Sequence, residues 1–272
     1  MPGVLLLVSS AREMPLADGT PHPAGFFPGG ALTAHERFVA AGVDVVVATP
    51  DGKPPFAEPD GLEEIFHHPD ENKPDENKPD EDKAIEAVLA GRRRASGSIA
   101  QSIAQRQSIA QRLSKIDGFR RPAKLADMSD ERLGAFDAVF AAGGHGPMVD
   151  LADNPDVTRL LGTLHRKRAT IAALCHGQAM LLCAPANLDG QWLFDGYRMT
   201  AFTDEEERQT PSGKLGMQWT LETALRNAGA VFDDGRSAWS PHVVVDRNLI
   251  TAQNPNSAGA VADAVLKSLN AQ

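Results

Sequence analysis

The segment Ala169–Gly177, Ala-Thr-Ile-Ala-Ala-Leu-Cys-His-Gly, constrains the fold more tightly than any other stretch of the chain. Ala169 to Leu174 is a short, nearly continuous apolar run, the pattern of a strand buried on both faces. It leads straight into Cys175-His176-Gly177 and a helical pattern to about Cys183. A small residue two before Cys175 and a glycine two after it meet the steric demand of a tight strand–turn–helix connection, which leaves no room for side chains there. A thiol at that point sits at a helix N-terminus, where the dipole and free N–H groups favour thiolate and can hold an oxyanion. Cys175 is therefore the candidate nucleophile. Cys183 falls two turns on, among Met180, Leu181 and Leu182, and reads as core. Along one helix the two thiols lie about 12 Å apart at ~1.5 Å per residue, too far for a disulfide.

The same alternation recurs along the chain. Residues 4–9, 43–49 and 135–142 read as buried strands, and residues 31–41, 154–166, 219–228 and 258–269 as helices. Val243–Val245 and Leu249–Thr251 flank the turn Asp246-Arg247-Asn248, a hairpin signal. Strands alternating with helices predict a single α/β domain over residues 1–272, a parallel sheet with helices on both faces. Residues 69–83 depart from this plan as three tandem pentapeptides, PDENK-PDENK-PDEDK, and Ser-Ile-Ala-Gln begins at 98, 102 and 108. Proline in every unit prevents a continuous helix, and the repeats offer little apolar surface to bury. Residues 69–113 thus read as a low-complexity insertion, with Arg92-Arg93-Arg94 a solvated helix end rather than an anion site. The acidic repeats lack the glycine turn of a calcium loop.

Composition narrows the functional classes. A net charge of −9 gives no basic footprint for nucleic acid or an anionic membrane surface. One Tyr and three Trp leave little for base stacking. No apolar run approaches the roughly 20 residues of a membrane span, and Val4–Val8 lacks the flanks of a signal peptide. A cytoplasmic location is expected.

Several motifs then occur together in order: Lys124-Leu125-Ala126-Asp127, Ala142-Gly143-Gly144-His145-Gly146, Ala173-Leu174-Cys175-His176-Gly177, and Ala201-Phe202-Thr203-Asp204 followed by Gln209-Thr210-Pro211. In this combination the chain resembles the PfpI-type superfamily of class I glutamine-amidotransferase-like proteins. Within it, the chain looks like the branch of heat-shock chaperones that also act as glyoxalase III. The resemblance covers residues 1–60 and 120–272 and implies a flavodoxin-like domain and a homodimer. It implies Cys175 as nucleophile, His176 as the adjacent triad histidine, and Glu207 as the acid orienting it, with Asp204 the fallback in the same acidic stretch. Gly144 and His145 would line the pocket and its oxyanion site.

The sequence departs from the family at two positions. The glutamate that the family places in the first loop, close to the thiol, falls on Gly30, with Glu36 a doubtful substitute. Val39 occupies the position of the family's metal-binding histidine, so neither a metal nor another cofactor is expected.

The implied activity is cofactor-free conversion of methylglyoxal or a related small 2-oxoaldehyde to a 2-hydroxy acid through a Cys175 intermediate, slowed by the missing carboxylate. Two alternatives stand beside it. One is a stress-related holdase that binds unfolded proteins, its cysteine vestigial or redox-sensing. The other is a PfpI-like cysteine peptidase or amidase. A glutaminase fits least, because His242-Val243-Val244 lacks the acid that class places two residues after its histidine.

Overall fold

The computed structural model of the chain describes residues 1–58 and 108–271. The pentapeptide repeats and the Arg92-Arg93-Arg94 run lie outside the described residues.

Strands β1 (Gly3–Leu7), β4 (Asp44–Thr49), β5 (Ala123–Lys124), β6 (Ala138–Ala141), β7 (Thr170–Leu174), β10 (Val243–Asp246) and β11 (Leu249–Ala252) form one sheet. Their order is β10-β11-β7-β6-β1-β4-β5. Every pairing is parallel except β10–β11, the antiparallel hairpin expected from the sequence. Two short ribbons, β2 (Glu13–Pro15) with β3 (Pro21–Pro23) and β8 (Arg198–Met199) with β9 (Val231–Phe232), lie outside it.

The central strands bury both faces, so alternate residues feed two cores. Leu5, Leu7, Val139, Ala141, Ile171 and Ala173 pack on one side with helix α2 (Pro155–Arg166). Val4, Leu6, Ala138, Phe140, Ala172 and Leu174 pack on the other with α1 (Pro28–Ala40) and the C-terminal helix Ala258–Leu269. Period-2 side chains on a sheet covered on both faces produce the unbroken apolar runs seen in the sequence. This is the expected flavodoxin-like α/β architecture.

One boundary is corrected. Residues 108–114 are helical, and Ile109 and Leu113 are buried in the second core. Arg112 pairs with Glu36 on α1. The last part of the expected 69–113 insertion is thus integral to the domain, because apolar residues four apart on a helix fall on one face and can be buried together.

Candidate active site

The site forms at the C-terminal ends of β6 and β7, where a parallel sheet opens into a crevice. Cys175 follows β7 directly and has a φ of 62°, a costly value for a residue with a side chain. The turn is enforced by close packing. A Cβ on Gly177 would lie 2.5 Å from the Ala141 carbonyl oxygen, so only glycine fits. The turn continues as a 3-10 helix, Cys175–Cys183.

Cys175 is buried, and its Sγ lies 3.2 Å from His176 Nδ1. His176 Nε2 donates to Glu207 Oε2 at 2.7 Å. Neighbours in sequence do not face each other on a regular helix; the strained turn is what brings thiol and imidazole together. Glu207 ends the one-turn helix α3 (Asp204–Glu207), started by a capping box between Thr203 and Glu206.

His145 lies on the facing loop after β6, its ring centroid 4.4 Å from that of His176. Its Nε2 is 3.1 Å from Glu207 Oε1 and 3.1 Å from Ser212 Oγ. Its Nδ1 lies 2.5 Å from Glu58 Oε1, and its backbone N–H donates to Glu58 Oε2 at 2.9 Å. Glu58 is nothing that the sequence reading singled out. Its segment is pinned by a parallel bridge between Phe26 and Ala57, with Glu58 N donating to the Phe26 carbonyl. The only sequence trace of this contact is Gly25, where a Cβ would collide with the Phe56 carbonyl at 2.1 Å.

These contacts set the charges. Burial alone would lower the His145 pKa, but Glu58 and then Glu207 push it up to about 10, so the ring is an imidazolium. For His176, burial comes first and the adjacent His145 charge second; together they hold its pKa below the usual histidine value despite Glu207. His176 is thus a neutral base. Glu58 and Glu207 are both held low by the histidines against the opposing effect of burial. The thiol differs from expectation. Burial, followed by the buried Glu206 carboxylate, raises the Cys175 pKa well above the usual thiol range, outweighing the Gly144 and His176 backbone N–H groups directed at the sulfur. Cys175 is thus a thiol beside a neutral imidazole, an arrangement in which a base can take the thiol proton.

The structure brings Cys175, His176, Gly144, His145 and Glu207 together. It does not bring in Gly30 or Asp204. Gly30 lies within α1, where an added Cβ would meet the Leu174 side chain at 2.6 Å, and it does not line the cavity. Asp204 turns toward helix α4 (Leu221–Ala228), accepting from Thr223 at 2.7 Å. Gly144 adopts a φ of 100° against the Gly25 and Phe27 backbones, which aims its N–H at the sulfur. Cys183 is half-buried, its thiol donating to the Leu151 carbonyl at 3.2 Å.

The atoms of His145, His176 and Glu207 lie close enough together to hold a metal ion. However, each histidine already bonds a Glu207 oxygen, and a charged His145 offers no lone pair. The cavity above them, about 390 Å³, is lined by Phe27, Glu58, Phe202, Arg208, Lys214 and Trp239 along with the groups already described.

A strained cysteine at the end of a central parallel strand, with a neighbouring histidine and an acid from a separate loop, marks the site of this α/β protein. The DJ-1/PfpI family model matches residues 85–268, and the chain belongs to that family. It is 34% identical over 146 residues to the Bos taurus glutamine amidotransferase-like class 1 domain-containing protein 1, covering 53% of this chain and 62% of that one. It is 32% identical over 145 residues to a probable glutathione-independent glyoxalase of Schizosaccharomyces pombe, covering 52% and 65%. These matches span less than two thirds of the relatives' lengths. The crystal structure of glyoxalase III from Candida albicans superposes with a TM-score of 0.66 at 21% identity, covering 98% of this chain and 96% of that one, which is a likeness of fold. Among the described residues no helix is long and apolar enough to cross a membrane.

Proposed function

We propose that this protein is a glutathione-independent glyoxalase that converts a 2-oxoaldehyde to the 2-hydroxy acid. The observation that carries the reading is the neutral His176 held between the Cys175 thiol and the Glu207 carboxylate at the floor of a cavity. A relative named as a probable glutathione-independent glyoxalase is consistent with it.

In the proposed reaction Cys175 Sγ bonds to the aldehyde carbon while His176 Nδ1 takes the thiol proton and passes it to the forming alkoxide, giving a hemithioacetal. The Gly144 and His176 N–H groups stabilise the transient oxyanion. His176 then removes the proton on C1 and returns it to C2, while the hydroxyl proton of the C1 oxygen passes to the C2 oxygen through the enediol, converting the ketone to an alcohol and C1 to a thioester. Water cleaves the thioester and restores the thiol. One water is consumed, and C1 is oxidised as C2 is reduced, so no external redox partner is needed. Glu207 stabilises each transient imidazolium. The reason for expecting slow turnover was the missing carboxylate at Gly30; Glu58 brings one into the cavity from a different segment, which supports a chemically complete site.

The test is acid formation from methylglyoxal without glutathione, by wild type and Cys175→Ala. Lactate from the first and none from the second is the expected result. Equal rates would overturn the reading.

A further inference from the structure

We infer that the substrate of this site carries an anionic group on a flat apolar body, the anion read by Lys214 and Arg208 and the body held by Phe27, Phe202 and Trp239. The inference rests on the oxoaldehyde reading above and narrows its substrate class.

The first support is size. A cavity of about 390 Å³ falls within the ~300–1,000 Å³ range of sites that enclose drug-sized ligands. Methylglyoxal has five heavy atoms and would leave most of it empty. The second is the wall. Trp239 has a φ of 65°, a genuine outlier for a bulky residue. Its N–H donates to the buried Glu206 Oε1 at 2.7 Å, its carbonyl accepts from Asn256 Nδ2 at 2.8 Å, and its indole N–H donates to Gln209 Oε1 at 2.7 Å. Its ring meets Phe202 edge-on at 5.4 Å. Strain held in place by so many bonds is characteristic of functional sites; here it sets an indole at the cavity beside a second aromatic ring.

The third support is charge. Arg208 and Lys214 line the cavity, are exposed, and form no ion pair among the described residues. Arg208 also borders a polar hollow lined by Asp204, Glu205, Glu222 and Asp234, whereas Lys214 lines the catalytic cavity and not that hollow. Deeper in, Glu58 and Glu207 flank the His145 imidazolium, a group with one net negative charge. An anionic substrate is therefore attracted at the outer cations and repelled at the floor. That polarity points its carbonyl end at Cys175.

The test compares 4-carboxyphenylglyoxal with the neutral isostere 4-carbamoylphenylglyoxal in two arms. In the first, kcat/KM is measured for wild type. In the second, Kd is measured for the Cys175→Ala protein by quenching of tryptophan fluorescence, so that binding is read without chemistry. The expected preference for the carboxylate is about tenfold in both arms, the worth of one or two charge-assisted hydrogen bonds at a partly exposed site. It shrinks toward unity in Arg208→Gln/Lys214→Gln and at high salt. Equal values for the two compounds, or a preference that survives the double substitution, would overturn the inference. Selective binding without acid formation would support the anion site and instead sink the glyoxalase reading.

Discussion

His145 and His176 sit ring to ring and share one carboxylate, yet one is charged and the other is not. Both are buried, so burial disfavours charge on each. The difference lies in the number of acids. His145 has Glu58 on one nitrogen and Glu207 on the other, whereas His176 has Glu207 on one and a neutral thiol on the other. Once His145 is charged, its field also keeps its neighbour neutral. The neutral state of His176 thus arises partly from the charge on a second histidine.

The largest break in that comparison is Glu207→Gln. It removes the acid common to both rings, and turnover of any substrate should fall by about 10²–10⁴-fold. Losing one partner of a buried charge should also cost roughly 3–5 kcal/mol of stability; urea unfolding and steady-state rates read the two effects separately.

Glu58→Gln acts on one ring alone. The His145 pKa should drop and that of His176 should rise as the repulsion fades. The acid limb of the rate profile then moves to higher pH, with turnover falling about tenfold near neutrality. NMR titration of the two imidazoles follows this directly, and an unchanged His145 pKa would show that Glu58 is not what holds its proton.

A third expectation concerns stability and pH. The folded His145 pKa, about 10, lies above the ordinary histidine value of 6.5, so its contribution is complete below about pH 6.5 and is lost as pH rises through 10. Glu58 and Glu207 are shifted the other way, and theirs is lost as pH falls below the usual carboxylate range. Unfolding measured at pH 7.5 and 10.5 should show the alkaline loss in wild type and a smaller one in Glu58→Gln.

The smallest effect on chemistry is expected from Gly30→Glu. An added Cβ meets the Leu174 side chain at 2.6 Å, which must shift to admit it. Overpacking costs about 1–3 kcal/mol, so the melting temperature should fall while turnover does not rise. Faster turnover would restore Gly30 to the site.

The sheet, its hairpin and the Cys175 turn were legible because each rests on local rules: two-faced burial, a polar turn between apolar runs, and small residues at a crowded connection. Glu58 was not legible. Its neighbours Ala57 and Pro59 carry no periodicity, and its place depends on a backbone bridge to Phe26 rather than on its own element. The thiol's protonation departs from the sequence expectation for a related reason. Helix-end N–H groups are visible in sequence, but the burial of Cys175 and the approach of Glu206 are tertiary facts. Asp204 and Glu207, three residues apart, were separable only once α3 showed which one faces the histidines.

The burial of His176, 2% exposed, has an isotopic consequence. In the proposed reaction, a proton that the ring lifts from C1 is shielded from bulk water until it is delivered to C2. A 2-oxoaldehyde deuterated at C1 and turned over in ordinary water should therefore yield a hydroxy acid that keeps part of its deuterium at C2. Opening the floor of the cavity, as Phe202→Ala would beside that ring, should wash the label out while leaving the product the same.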